Sequence, residues 1–249
     1  MGSGLVRVRA AVFDVYRTVL EVGPPPADAP TRWRWLWEST FGGRPRLDLE
    51  TFLAGCEAVV RRDHGMARAR GIAYPEVYWP GVIADVLPEL KGLSERSRQA
   101  FEVALARLQH TTGLMPGAAP VLRLLLNSGV VLGIASNAQP YTLHELNDAL
   151  TAVGLGANVF QGDLTFWSFQ HGFSKPDPHV FQVLNARLRA RGIEMAETMM
   201  VGDRMDNDIV PSRQCGWATF LLDPTAGVGS EGAGDWQRMA HWLDGRLGA

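Results

Sequence analysis

The chain has 249 residues, of which 46% are hydrophobic and 20% charged, and its formal net charge is -2. This length and composition suit a globular protein with one large domain, or a core with an insertion. The charge argues against a broad nucleic-acid surface, and no segment approaches the ~18 apolar residues of a membrane span. Two distant cysteines, Cys56 and Cys215, indicate neither a thiolate metal site nor a disulfide framework. We expect a cytoplasmic protein that binds neither nucleic acid nor membrane.

The first predicted strand covers residues 5–13, which alternate and then become wholly apolar before Asp14. Such a run is typical of a strand that enters a sheet covered on both faces. Residues 23–30 are rich in proline and can form neither a helix nor a central strand. They mark a hinge after the first strand.

Residues 31–112 show helical periodicity and no convincing strand. Capping residues and a proline predict four helix starts, at Thr31, Asp48, Pro75 and Ser94. We therefore predict a helical cap domain at residues 23–112. The core would then consist of residues 1–22 and 113–249.

Strands and helices alternate after residue 113. The predicted strands cover residues 130–135, 164–167, 198–202 and 218–222. The predicted helices cover residues 117–128, 140–153, 177–191 and 206–214. This alternation indicates an α/β protein with a Rossmann-like, doubly wound parallel sheet and a smaller all-helical cap domain. The Gly-rich stretch 224–235 is predicted to be loose.

Four polar side chains stand at or near the ends of predicted strands: Asp14, Ser136, Lys175 and Asp203. In a parallel sheet, ligands bind beyond the carboxyl ends of the strands. We therefore expect these four side chains to converge on one pocket.

Each of these residues lies in a short motif, and the four motifs in chain order are FDVYRTVL (13–20), ASNA (135–138), SKPDPHVF (174–181) and VGDRMDNDI (201–209). Their order and spacing resemble the haloacid dehalogenase (HAD) superfamily over residues 8 to 222. The resemblance implies a hydrolase with a nucleophilic aspartate on a Rossmann-like core. The helical insertion also falls where many members of that superfamily carry a cap.

The resemblance implies a role for each motif. Asp14 would attack the substrate and form a covalent ester that water then hydrolyses, and Thr18 would shape its loop. Ser136 and Lys175 would supply a hydroxyl donor and a positive charge to hold a small anionic substrate, and Asn137 would join them.

A magnesium site is also implied by the resemblance. Its ligands would be the carboxylates of Asp14 and Asp203 and the backbone carbonyl of Tyr16, because hard oxygen ligands suit Mg²⁺. Asp208 would complete the metal site by orienting metal-bound water.

Two residues depart from the patterns of the family, Tyr16 from that of the phosphatases and Arg17 from that of the dehalogenases. HAD phosphatases normally carry a second Asp two residues after the nucleophile, and this Asp protonates the leaving oxygen. Here the residue is Tyr16, and a tyrosine with an unperturbed pKa of about 10 is a poor general base near neutrality. A Tyr at this position resembles the L-2-haloacid dehalogenases, which need neither a general acid nor a metal. Asp203 and Asp208 resemble instead the Mg²⁺-dependent phosphatases.

The second departure is Arg17, which stands where those dehalogenases usually have Gly. Its guanidinium would either bind a substrate carboxylate or phosphate, or form an ion pair with an acid such as Asp206. We also expect Tyr16 to contact the substrate. Three hypotheses follow: a Mg²⁺-dependent phosphatase, a metal-independent dehalogenase-like hydrolase, and a phosphate-binding regulatory protein of low activity.

Overall fold

The computed structural model describes residues 7–226 and 232–247. Its strands are β1 (Ala10–Phe13), β2 (Leu20–Gly23), β3 (Thr111–Leu114), β4 (Val131–Ser136), β5 (Phe160–Trp167), β6 (Thr198–Gly202), β7 (Ala218–Leu222) and β8 (Ala233–Gly234). Six of them form one sheet in the order β5-β4-β1-β6-β7-β8, and every neighbouring pair is parallel. The carboxyl end of β1 therefore lies between those of β4 and β6.

Helices cover both faces of this sheet. Those of the chain are α1 (Ala29–Phe41), α2 (Leu49–Ala69), α3 (Trp79–Val86), α4 (Glu95–Gln109), α5 (Ala118–Asn127), α6 (Pro140–Thr151), α7 (Pro178–Ala190), α8 (Val210–Gln214) and α9 (Trp236–Leu243). Within the described part of the chain, no helix combines the length and the apolar character needed to cross a membrane.

The side chains of the central strand, β1, show why helices pack on both faces of the sheet. Ala11 and Phe13 of β1 belong to a core cluster with α5, α6 and α9, whereas Ala10 and Val12 belong to another with α7. All four are fully buried, because successive side chains of a strand point to opposite faces and both faces are packed. The predicted Rossmann-like α/β fold is confirmed.

The helical segment, residues 23–112, has its own apolar core. Trp33 stacks on Phe52 with ring centroids 4.9 Å apart, and Trp37 meets Trp33 edge to face. Both tryptophans are buried, so they pack the segment and leave no exposed aromatic platform. The assignment of this segment as a separate cap domain stays a prediction.

Three expectations for the helical segment differ from the structure. The first helix begins at Ala29 with Asp28 at its N-cap, ahead of the predicted start at Thr31, because Pro30 is tolerated in a first turn.

The other two differences concern the last residues of the segment and its third helix. Thr111 and Thr112, predicted to lie in a strand-free segment, begin β3, which pairs antiparallel with β2. These β-branched residues fit a paired strand once a partner is present. The third helix begins at Trp79 and not at Pro75, with Pro80 in its first turn, where a missing N–H costs no hydrogen bond.

Other differences lie at element boundaries in the core. The first strand begins at Ala10 where the sequence predicted residue 5, and residues 5 and 6 lie outside the described residues. The predicted helix at 206–214 is a π-helical turn followed by α8. Helix α9 was not predicted. The predicted loose stretch 224–235 is described only in part, since residues 227–231 lie outside the described residues. Its prediction is wrong for Ala233 and Gly234, which pair with β7 and form β8.

Candidate active site

A cavity of about 240 Å³ lies at the carboxyl ends of β1 and β6. Seven residues singled out from the sequence line it together: Asp14, Tyr16, Arg17, Asn137, Lys175, Asp203 and Asp208. Arg204 and Asn207 complete the lining and were not predicted. Ser136 and Thr18 lie outside the lining. Their buried hydroxyls have no hydrogen-bond partner among the described residues, which is typical of groups that bond to water or a ligand.

Asp14 is placed by the sheet itself. Its backbone N–H donates to the carbonyl of Val201 at 2.9 Å, which continues the pairing of β1 with β6 by one residue. The chain then turns sharply, and the carbonyl of Val15 accepts the N–H groups of Val19 and Leu20 at 2.9 and 2.8 Å. The carboxylate therefore stands at the end of a fully buried strand, where the backbone has little freedom.

Lys175 connects the two ends of the acidic cluster. Its Nζ lies 2.8 Å from Asp14 Oδ1 and 2.5 Å from Asp208 Oδ1, and the side chain is almost fully buried. Burial alone would lower the pKa of Lys175, but the charges of the two carboxylates outweigh burial and raise it. The ammonium therefore stays charged and holds both carboxylates.

Asn137 fixes the lysine through its backbone. The Asn137 side-chain amide donates to the carbonyl of Lys175 at 2.9 Å, and its oxygen accepts the Lys175 N–H at 2.8 Å. This pair of bonds ties the loop after β4 to the loop before α7. The predicted substrate contact of Asn137 stays a prediction, and its observed contacts position Lys175.

Three carboxylates face each other across the cavity. Asp14, Asp203 and Asp208 each offer an oxygen, and the three oxygens lie within 4.8 Å of one another. Burial, opposed by Lys175 and reinforced by Asp208, raises the pKa of Asp14 to about 6. Burial and the charge of Asp208 also raise the pKa of Asp203. The cluster therefore carries more negative charge than one lysine neutralises, which favours binding of a cation.

The chemistry of the donors fits Mg²⁺, which prefers carboxylate and carbonyl oxygens. Both Asp208 oxygens already accept protein hydrogen bonds, from Lys175 Nζ at 2.5 Å and from the Arg204 N–H at 3.1 Å. Asp208 is thus suited to orient groups around an ion, whereas Asp14 and Asp203 are suited to contact it. The carbonyl of Tyr16 stays a predicted ligand.

Gly202 makes room for this arrangement. A side chain there would overlap the carboxylate of Asp208, so the close approach of Asp208 to β6 requires glycine. The sequence shows Gly202 directly before Asp203 but gives no sign of this contact.

The hydroxyl of Tyr16 points to α6. It donates to Glu145 Oε2 at 2.6 Å and lies 2.8 Å from Thr142 Oγ1, while the other oxygen of Glu145 lies 2.8 Å from His110 Nε2. Burial, with the neighbouring Tyr141 and Glu145, raises the pKa of Tyr16 above its ordinary value. The hydroxyl is therefore a neutral donor whose proton is already engaged by a carboxylate.

Arg17 adopts a left-handed backbone conformation, with φ of 59°, alone among the non-glycine residues that the structure describes. Positive φ is disfavoured for a residue with a Cβ, so this position suits Gly better than Arg. The charge of Arg17 opposes in part the rise in the pKa of Asp203 that burial and Asp208 cause. Over residues 7–226 and 232–247, the Arg17 guanidinium forms no salt bridge, and Asp206 pairs with Arg204 at 2.6 Å instead.

Glu76 joins the helical segment to the core beside the site. One of its oxygens accepts from Gln139 Nε2 at 3.0 Å, and the other accepts from Ser168 Oγ at 2.7 Å. Gln139 also accepts the N–H of Trp79 at 2.8 Å. These contacts join residues that are far apart in sequence, so no local pattern could have predicted them.

Comparisons with known proteins agree with the fold. A family model described as a haloacid dehalogenase-like hydrolase matches residues 8–216. A search of curated proteins finds no match.

Solved structures match almost the full chain. One is a 2-haloacid dehalogenase from Pseudomonas syringae pv. Tomato DC3000, with 18% identity, 95% of this chain and 98% of that chain covered, and a TM-score of 0.56. Another is the L-2-haloacid dehalogenase RSc1362, with 19% identity, 96% and 100% covered, and a TM-score of 0.54. A third is a HAD family enzyme from Bacteroides thetaiotaomicron in complex with magnesium and inorganic phosphate, with 15% identity, 89% and 98% covered, and a TM-score of 0.53. At these identities the likeness concerns the fold.

Proposed function

Because the chain belongs to the haloacid dehalogenase-like hydrolase family, we propose that it hydrolyses a small phosphate ester, with Asp14 as the nucleophile and Mg²⁺ as the cofactor. The observation that carries the proposal is the convergence of three carboxylates in one cavity, where two of them contact the buried Lys175. One cavity then contains a nucleophile, a positive charge that can neutralise an anion, and oxygen ligands for a cation.

In the proposed reaction, an Asp14 oxygen attacks phosphorus and the bond from phosphorus to the leaving oxygen breaks. Water then hydrolyses the aspartyl phosphate, which releases phosphate and restores the carboxylate. Lys175 holds one Asp14 oxygen, so the other is directed to the substrate. The charges of Lys175 and Arg17 would offset repulsion between the substrate and the acidic cluster. Bound Mg²⁺, held by Asp14 and Asp203, would supply further charge neutralisation.

The leaving group decides which esters suit this site. Tyr16 stands where phosphatases of the family have their acid, and its proton is engaged by Glu145. A leaving group that departs as an anion needs no proton from the protein. We therefore expect aryl phosphates and acyl phosphates to react faster than phosphates of simple alcohols.

The same observation on Tyr16 favours a second candidate, dehalogenation of a 2-haloacid. Asp14 would attack carbon and displace halide, which needs neither a general acid nor a metal. Lys175 would keep Asp14 and Asp208 compensated without a cation. The acidic Asp203, beside the other two carboxylates, favours the phosphatase over this alternative.

The test uses the full chain, with p-nitrophenyl phosphate and acetyl phosphate as substrates, in MgCl₂ and in EDTA. The same samples are assayed for halide release from 2-chloropropionate. Asp14→Asn is the control, because it keeps the size of the side chain and removes the nucleophile. Phosphate release that needs Mg²⁺ and disappears in the control supports the proposal. Halide release that EDTA does not affect supports the dehalogenase, and phosphate binding without turnover supports a regulatory role.

A further inference from the structure

A second and larger cavity, of about 910 Å³, adjoins the catalytic one. Arg17 and Asp203 line both cavities, so the two cavities are neighbours that meet at these side chains. The catalytic cavity alone, at about 240 Å³, is smaller than the roughly 300–1,000 Å³ of pockets that enclose small-molecule ligands. The larger cavity, which we call the side groove, lies within that range and offers space for the part of a substrate that does not react.

The lining of the side groove is mostly apolar. Its apolar residues include Met115, Met205, Leu221, Leu222 and Trp236. Trp236 is held in place, because its ring stacks on Phe13 with centroids 5.8 Å apart and its Nε1 donates to the carbonyl of Thr18 at 3.1 Å. The wall of the groove is therefore built on the same strand and turn that position the nucleophile.

Charge limits what the side groove can bind. Among the described residues of its lining, Arg17 is the single cationic one and stands with the acidic Asp203 at the junction with the catalytic cavity, whereas Glu21, Asp223 and Asp235 line the groove alone. The acids outnumber Arg17, so a negatively charged tail is repelled from the groove. The groove accordingly suits a tail that is uncharged and apolar.

We propose that the side groove binds the leaving-group portion of the substrate, and that the substrate is a phosphate monoester with an extended, uncharged apolar group. This inference rests on the proposed function, which places the reacting phosphate at Asp14. The lining of both cavities by Arg17 and Asp203 is the observation that links the groove to the reaction.

The experiment measures binding of n-alkylphosphonates, from ethyl to octyl, to the full chain by calorimetry in MgCl₂. These probes carry the head group and an apolar tail but cannot be hydrolysed as esters. Each added CH₂ buried in the groove should lower Kd about three- to fourfold. The readout is the dependence of Kd on chain length, because a change at the head-group site shifts every probe equally.

Two variants bring a charge to an exposed methionine or leucine. Met205, 45% exposed, lines the groove, whereas Leu124, 38% exposed, lies on α5 and lines neither the groove nor the catalytic cavity. Met205→Glu should abolish the chain-length dependence, Leu124→Glu should keep it, and Met205→Leu should restore it. A Kd independent of chain length, a dependence that survives Met205→Glu, or no binding of any probe would overturn the proposal.

Two further results separate this inference from the proposed function. Chain-length-dependent binding without hydrolysis of any phosphate ester would uphold the groove and refute the phosphatase. Hydrolysis of acetyl phosphate, together with a Kd that does not depend on chain length, would support the phosphatase and refute binding in the groove. If the series is flat and Met205→Glu alters the mass of the protein in solution, the groove belongs to a contact between copies and the proposal fails.

Discussion

Replacing Lys175 by Met tests the electrostatic logic of the candidate site. The Nζ of Lys175 lies 2.8 and 2.5 Å from two carboxylates, and the residue is 3% exposed. Methionine has a similar length but leaves both carboxylates without their counter-charge. Removal of one partner from a buried ion pair costs about 3–5 kcal/mol. We expect that loss of unfolding free energy at pH 8, where the carboxylates are ionised.

The loss of unfolding free energy in Lys175→Met should depend on pH. Asp14 has a pKa of about 6 in the folded protein, and without the charge of Lys175 this pKa must rise further. In the unfolded chain it returns to about 3.9, so folding takes up a proton between these values. Asp14 therefore does not reduce the unfolding free energy below about pH 4. As the pH rises from there toward the folded pKa, the unfolding free energy falls by up to about 1.4 kcal/mol per pH unit. In Lys175→Met this window extends above pH 6, so the variant loses more at pH 8 than at pH 5.

Urea unfolding followed by tryptophan fluorescence at pH 5 and pH 8 measures both effects. The difference between Lys175→Met and the parent should be at least about 1 kcal/mol smaller at pH 5. Adding Asp14→Asn to the variant removes one of the two carboxylates that Lys175 contacts, and the pH-dependent part should become smaller. An equal loss at both pH values, or a loss below about 1 kcal/mol at pH 8, would refute the reasoning.

Three other predictions concern the same cavity. Because Asp14 must be ionised to attack, kcat/KM should fall up to tenfold per pH unit at low pH. Bound Mg²⁺ favours the ionised carboxylate, so the midpoint of this fall should move below the metal-free pKa of about 6 as MgCl₂ is raised, and a midpoint that does not depend on MgCl₂ would contradict this. Tyr16→Phe should lower the unfolding free energy by about 1–3 kcal/mol through the lost hydrogen bonds to α6 and change turnover of p-nitrophenyl phosphate less than threefold. A loss above a hundredfold would instead show proton transfer by Tyr16. Gly202→Ala should displace Asp208 and lower kcat at least tenfold, whereas Gly162→Ala, where a methyl group meets nothing within 4 Å, should not.

Local patterns in the sequence predicted five of the six strands of the main sheet, but not β8 or helix α9. A wholly apolar run before Asp14 indicated a strand covered on both faces, and β1 is buried along its full length. Asp203 directly follows a strand, β6, that is buried along its full length as well. Strand ends in a parallel sheet share one edge, which is why residues distant in sequence could be expected to meet there.

Features that depend on tertiary contacts were not predictable. The hydrogen bond between Tyr16 and Glu145 spans 129 positions, and that between Glu76 and Ser168 spans 92. Neither pair has a spacing that a helix or strand would impose. The left-handed backbone of Arg17 was also hidden, because arginine gives no local signal for positive φ.

The antiparallel pair of β2 and β3 also determines where a segment of the protein can be replaced by another. Gly23 pairs with Thr111, so the chain leaves the core and returns to it at neighbouring positions, with the whole helical segment between them. Insertions are tolerated where their ends lie close together. A different segment with the same separation between its ends could be grafted at this junction without displacing Asp14. The Glu76 contacts would then be lost, while the side groove, built largely on elements outside the segment, would be inherited unchanged.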